Sequence, residues 1–509
     1  MDSIVLKSFF PEIFFSLGIF LQLVFNSRLI NSLEHNFPVI DKEVFVQTFF
    51  ILFCVLILLL NLRIECHLAN FLFINDAGGC FAKTLFIITC LMTLSVIFRS
   101  FVLQKLNFFE YYVILSLALF ASLLLFSVFD LISAYLVIEM QALAFYVLAS
   151  YKRNSSFSTE AGLKYFISGS FISGIFLLGC SLIYGAVGTL NFNDLSLLLS
   201  FKLNGSLENL NYILTLGVLL IVFTLLFKIS AAPFHFWSPD VYDGSPLATT
   251  IVFSIFPKLV IFTLFVRWVS AISGVFFEIK SIFIFLGILS LIFGTFFAIR
   301  QKRLKRLLIF SSIVQVGFML VALSQYSIDG MVALYYFLFI YILSSILIWN
   351  NISLLYTFSN ITNVFYKENI KSVFLSSLSN LSKTNKTWAF SFTVVFFSLA
   401  GIPPLSGFLA KALVLFSLIG SNEIIGASLM LMISLVSVFY YVRVIKLVYF
   451  EPKKVTLFDE RFQTSFETSF SSFDYTLMAF IITMLVLAFF NPTLLLLGGQ
   501  YLVLGLYGF

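Results

Sequence analysis

Apolar stretches of about twenty residues recur along almost the whole chain, separated mostly by short polar segments. A hydrocarbon core of roughly 30 Å takes about 20 apolar residues in a helix. With 61% of its 509 residues hydrophobic and only 11% charged, the chain has no means of hiding its apolar surface as a soluble fold. It is therefore read as all-α, a polytopic membrane protein with about 14 transmembrane helices.

The predicted helices span 9–30, 43–62, 82–101, 110–128, 130–151, 158–185, 210–232, 246–272, 275–299, 305–325, 329–357, 388–419, 424–450 and 473–498. Long polar loops lie at 358–387 and 451–472. Most of the 30 lysines and arginines fall at odd-numbered loops, the densest cluster being RQKRLKR at 300–306. Positive charge collects on the matrix or cytoplasmic side, so the odd loops are placed there and both termini opposite. One helix more or fewer in the middle would scramble that asymmetry. The N-terminal MDSIVLKSFFPEIFFSLGIF has neither the marks of a signal peptide nor those of a transit peptide, so the first helix is expected to be retained. That suits a chain made in a bacterium or inside an organelle, and the 68 phenylalanines suit an AT-biased organelle genome.

Several functions are excluded early. The net charge of +6 offers no basic, aromatic-interleaved surface, so nucleic acid is not an expected partner. Cys54, Cys66, Cys80, Cys90 and Cys180 show no CxxC or cluster spacing. No GxGxxG opens a helix and no P-loop occurs, so neither a metal nor a redox cofactor is expected in this chain.

Three predicted helices contain breakers. Helix 7 ends in KISAAPFHFW, with Pro233 shortly after Lys228. Helix 8 has Pro257 directly before Lys258, and helix 12 holds GIPPLSG at 401–407 before Lys411. Non-helical backbone at membrane depth is tolerated only against protein or water-filled cavities, and paired interrupted helices mark transport paths. A packing kink is the bland alternative for any one proline.

An ionisable side chain near a bilayer centre costs about 2.5–3.5 kcal/mol or more. Glu139, Lys164, Lys228, Lys258 and Lys411 all fall inside predicted helices. Glu139 and Lys164 stand at similar distances from the turn at Lys152 and Arg153, and so are expected at similar depth in one hairpin. Burial disfavours a charged amine and a nearby carboxylate favours it, so such a pair can capture and release a proton; a purely structural ion pair is the alternative. Lys228, Lys258 and Lys411 have no acidic partner in their own helices and suit proton hopping through internal water. A metal-cation path would favour carboxylates and carbonyls. His235 is positioned in sequence to pass protons between Lys228 and Lys258, or else is satisfied by nearby backbone. His35 and His67 fall in loops. Asp240 and Asp243 read as capping and turn residues, and Gln315 as a buried polar group able to hold water but not to titrate.

These segments carry a resemblance. KISAAPFHFWSPDVYDGSPLATT followed by PKLVIF, with IEMQALAFYVLASY, LKYFISGSFISGIFLLGCSLIYGAVGTL and FSLAGIPPLSGFLAKALVL, resembles the antiporter-like membrane subunits of NADH:ubiquinone oxidoreductase, respiratory complex I, in their subunit 2 form. The resemblance runs from about residue 110 to 450. It implies two inverted five-helix repeats, helices 4–8 and 9–13, with helices 7 and 12 interrupted. The implied organisation is 1–109 as an N-terminal three-helix segment, 110–272 and 273–450 as the repeats, and 451–509 as loop and helix 14. It also implies that Glu139, Lys164, Lys228, Lys258 and Lys411 occupy proton-channel positions, with Gln315 where bacterial relatives often have histidine. NADH, FMN, iron–sulfur clusters and ubiquinone would be bound by other subunits. Antiporter-like subunit 4 and the small subunit 4L are the implied neighbours. The mitochondrial inner membrane is the implied location, with a bacterial plasma membrane or plastid thylakoid as alternatives. Two further functional readings stay open: an Mrp-type cation/proton antiporter subunit, and a structural membrane scaffold.

Overall fold

In the computed structural model the described residues are 7–32, 37–62, 66–68, 72–104, 109–202, 208–273, 276–362, 374–379, 381–451 and 472–507. Among them the chain is helical apart from one two-stranded hairpin, β1 (Cys66–Leu68) with β2 (Phe73–Asn75). The first helices are α1 (Phe10–Ser32), α2 (Phe37–Leu60), α3 (Ala77–Gln104), α4 (Glu110–Leu125), α5 (Leu131–Ala149), α6 (Ser156–Val187), α7 (Phe192–Lys202), α8 (Glu208–Lys228), α9 (Trp237–Gly244) and α10 (Leu247–Ala271). They are followed by α11 (Phe276–Arg300), α12 (Leu304–Leu323), α13 (Ile328–Thr362), α14 (Leu381–Thr384), α15 (Lys386–Ala400), α16 (Ser406–Gly420), α17 (Ile424–Tyr449), α18 (Ser472–Phe490) and α19 (Thr493–Tyr507). Eleven helices among the described residues are long and apolar enough to cross a membrane. Predicted helix 4 is the shorter α4, predicted helix 7 is α8, and predicted helix 12 is the half-length pair α15 and α16.

The departures from expectation have local causes. Predicted helix 3 starts five residues early, because Asp76 Oδ1 accepts from the Gly79 N–H at 3.2 Å and caps the helix. Predicted helix 14 is two helices, α18 and α19, divided at Asn491–Pro492, where proline removes a donor. Predicted loops hid the hairpin and α7. Most of the predicted loop 451–472, and 363–373 of the other, lie outside the described residues.

Two compact units emerge: Met1–Ser230 with Phe234–Ile282 and Gln500–Phe509, and Ala231–Pro233 with Phe283–Gly499. In the first, α6 and α8 pack backbone to backbone where Gly179 meets Gly217. A Cβ on either would stand 3.1 Å from the other's carbonyl oxygen. In lipid, where apolar burial gives little drive, such close approach is what holds helices together. At one end of this unit, isolated bridges Phe73↔Val128 and Asp130↔Asn191 tie the hairpin to the starts of α5 and α7.

Every residue of α10 is buried, so protein rather than lipid surrounds it. Its Pro257 has no N–H to give the carbonyl of Phe253, four residues back. Tyr242 of α9 donates its hydroxyl to that same oxygen at 3.0 Å. Tyr242→Phe removes only this donor and is expected to destabilise by about 1–3 kcal/mol. The check is the thermal unfolding midpoint of the purified protein carrying the variant, which should fall.

In the second unit, α12 and α13 are largely buried and α15 to α18 pack about them. Helix α15 stops at Gly401, whose φ of +81° is left-handed and whose N–H bonds back to Phe397 and Ser398. The break, residues 401–405, leads into α16.

Candidate functional site

Lys228 is the last residue of α8. The chain then turns sharply, with Ser230 at a left-handed φ of 58°. The Phe227 carbonyl at this helix end is satisfied twice, by the Ser230 N–H at 3.0 Å and the Trp237 indole at 3.1 Å. The carbonyl end of a helix favours a cation, and Lys228 sits on it. Its Nζ is buried and has no hydrogen-bond partner among the described residues. The same holds for Oε1 of Glu139 on α5. Both groups line one cavity of about 10 Å³, with Tyr135, Ser173 and Thr224. That is room for about one water, in a place where a carboxylate oxygen and an amine each lack a hydrogen bond among the described residues.

Lys258 is 1% exposed and lies one residue beyond the proline in α10. His235 occupies the break between α8 and α9, buried, its ring stacked on Phe236 at 4.6 Å. Its carbonyl accepts from the Ser238 N–H and hydroxyl at 3.1 and 3.0 Å.

In the second unit Lys411 is 7% exposed. Its Nζ donates to the Ala400 carbonyl at 2.7 Å and stands 5.2 Å from the centre of the Phe318 ring. The amine thereby satisfies a carbonyl left open where α15 stops. A Cβ at Gly401 would come within 2.8 Å of Lys411 Cδ, so the lysine and the break are fitted to each other. A second cavity of about 10 Å³ adjoins Lys411, lined also by Gln315, Tyr341, Ser344 and Ser398.

The expected pairing of Glu139 with Lys164 is not formed. Lys164 bonds instead to Glu160 at 2.8 Å and Asp240 at 3.1 Å, with its side chain 46% exposed. Similar depth in a hairpin says nothing about which way a side chain faces. Glu160 lies one turn before Lys164 on the same face of α6, and Tyr165 stacks on Trp237 at 4.8 Å, bringing α9 and its Asp240 alongside. Asp240 is thus a partner of Lys164 that reading it as a cap overlooked.

A second buried ionic group was also missed. Lys83 of α3, 0% exposed, donates to Glu12 Oε1 at 2.6 Å and Asn75 Oδ1 at 2.9 Å. Asn75 donates in turn to the Ser8 carbonyl at 2.6 Å. Next to Asn75, Asp76 accepts from Arg267 at 2.5 Å. The hydropathy pattern had put Lys83 at a helix start, where snorkelling explains a lysine; only the earlier start of α3 carries it inward.

Each unit therefore holds a broken helix, a lysine at the break whose amine is buried, and beside it a small cavity lined mostly by apolar atoms with a few polar groups. Such an arrangement suits the passage of a small cation or proton through protein-lined water. Residues 128–437 match the family model described as NADH:quinone oxidoreductase/Mrp antiporter, TM, and the chain belongs to that family. Within it, the similarity is to the chain 2 or subunit N line. NADH-ubiquinone oxidoreductase chain 2 of Oenothera berteroana is 35% identical over 457 residues, 89% of this chain and 90% of that protein. NADH-quinone oxidoreductase subunit N of Pelagibacter ubique is 35% identical over 449 residues, 87% of this chain and 89% of that protein. A solved chain of respiratory complex I from Thermus thermophilus with bound aureothin matches with a TM-score of 0.74 and 24% identity, covering 96% of this chain and 98% of that one. At that identity the likeness shows a common fold.

Proposed function

We propose that this chain is a membrane-arm subunit of a proton-translocating NADH:quinone oxidoreductase and carries protons through Glu139, Lys228, Lys258 and Lys411. The observation that supports it best is the cavity where Lys228 Nζ and Glu139 Oε1 both lack partners. An acid and an amine whose Oε1 and Nζ are shut from solvent without a hydrogen bond are costly, and a bridging water lets them exchange a proton. Lys258 and His235 follow along the same unit, and Lys411 serves the second, where the 110–272 and 273–450 repeats are expected. Lys164, held by Glu160 and Asp240 on an exposed face, suits a position that a neighbouring subunit of the membrane arm covers. Subunits of the 4 and 4L type are the partners inferred.

NADH, FMN, iron–sulfur clusters and ubiquinone belong in this reading to partner chains. Quinone chemistry elsewhere shifts buried charges in sequence, and the lysines here respond by loading and releasing protons. The phenylalanine-rich composition and the ubiquinone-type relative favour the mitochondrial inner membrane; the Pelagibacter relative supports a bacterial plasma membrane as the competing location.

The test is Lys258→Met in the assembled complex, in closed membrane vesicles. NADH-driven proton uptake per assembled complex should fall by about tenfold. Unchanged uptake would remove Lys258 from the path. The joint family description also favours a cation/proton exchanger, and Na+-dependent exchange without redox partners would support that reading instead.

A further inference from the structure

The cavity beside Lys411 is joined through one wall residue to polar side chains that do not line it. Gln315, on its wall, donates from Nε2 to the Tyr441 hydroxyl oxygen at 3.3 Å. Because the amide is the donor there, the proton of Tyr441 itself is directed elsewhere. Ser311, whose hydroxyl also donates to the Leu308 carbonyl at 2.7 Å, and Tyr440 both lie beside that hydroxyl, and the two tyrosine rings pack at 4.3 Å. Tyr440 and Tyr441 are fully buried. The Tyr440 hydroxyl stands against that of Tyr441, the two polar tips side by side.

These groups form a directed row. Ser311 is one turn nearer than Gln315 to the start of α12 at Leu304, about 6 Å along the axis. Tyr440 and Tyr441 stand in the last part of α17, which ends at Tyr449. That end of the unit bears Arg303, Lys305, Arg306, Arg443 and Lys446, and the charge asymmetry assigns it to the matrix or cytoplasmic side.

We infer that the hydroxyls of Ser311, Tyr440 and Tyr441, with water in the cavity beside Lys411, carry protons between this basic surface and Lys411. A hydroxyl both donates and accepts, so it passes protons without ionising. At each oxygen one O–H bond forms as another breaks, and no group changes charge until the Lys411 amine takes up the proton. Gln315 holds the row in register, since an amide hydrogen-bonds but does not titrate. The inference rests on Lys411 being a proton carrier.

The experiment measures NADH-driven proton uptake in closed vesicles bearing the whole complex, scaled to assembled complex. Tyr441→Phe keeps the ring and its packing, and uptake should slow by about tenfold. Gln315→His added to Tyr441→Phe should restore most of it, because an imidazole carries a proton as well as holding a bond. Should Tyr441→Phe assemble poorly, Ser311→Ala with Tyr440→Phe interrupts the row one step further on, is expected to slow uptake likewise, and is read the same way. Normal uptake in Tyr441→Phe with slow uptake in Lys411→Met overturns the row and leaves the proton-carrying reading standing. Normal uptake in Lys411→Met overturns both. Slowing that Gln315→His does not relieve makes Tyr441 a packing residue and overturns the inference.

Discussion

Complex containing Lys228→Met will assemble and still oxidise NADH with an artificial acceptor, but its NADH-driven proton transport will fall by about tenfold or more. Methionine fills much of the lysine's volume. The carbonyl of Phe227 keeps both its donors, from Ser230 and Trp237, so the end of α8 stays closed. The amine has no hydrogen-bond partner to be left open, so the complex should assemble, with a modest loss of stability because Glu139 loses the cation across the cavity. What is lost is the base that takes up a proton opposite Glu139. Glu139→Gln should act in the same direction, because the amide keeps the shape of the carboxylate and loses its charge. Proton uptake, NADH oxidation and the amount of assembled complex need to be measured on the same membranes. A purely structural scaffold makes the opposite forecast, poor assembly with normal uptake by whatever does assemble.

The largest effect on stability is expected at the other buried charge. Glu12→Ala leaves the Lys83 ammonium 0% exposed, with Asn75 Oδ1 at 2.9 Å but no counter-charge on α1. Breaking a buried pair from one side costs about 3–5 kcal/mol. The amount of assembled complex on native gels should drop severely, and its unfolding midpoint with it. Glu12→Gln combined with Lys83→Met removes both charges and should recover most of the loss, since a buried pair replaced whole is often neutral. Equal damage from the single and double variants would mean that shape, not charge, holds α1 against α3.

Much of this was legible in the sequence because membrane insertion leaves strong marks. Apolar run length gave the helices, and the breakers at Pro233, Pro257 and GIPPLSG marked where two helices stop and one is held by a borrowed donor. The buried lysines stood out because charge is rare in such runs. What the sequence hid was direction and exact helix starts. Lys164 faces Asp240 rather than Glu139, since periodicity along one helix does not say which neighbour lies across from it. The partner of Glu139 proved to be a cavity shared with Lys228 on another helix, far along the chain. Lys83 was hidden by a cap: Asp76 starts α3 five residues before the hydropathy does and so turns a boundary lysine into an interior one. The hydroxyl of Tyr242 pairs with the carbonyl freed by Pro257, a link between α9 and α10 that spacing does not reveal.

The central claim is that buried amines in protein-lined pockets exchange protons with internal water. It is tested most directly by a map of the assembled complex, sharp enough to show ordered solvent. The account predicts a water bonded to both Lys228 Nζ and Glu139 in the cavity they share, and another between Lys411 and Gln315. Dry, closed pockets at both places, with the amines reaching out to the lipid headgroups, would contradict it.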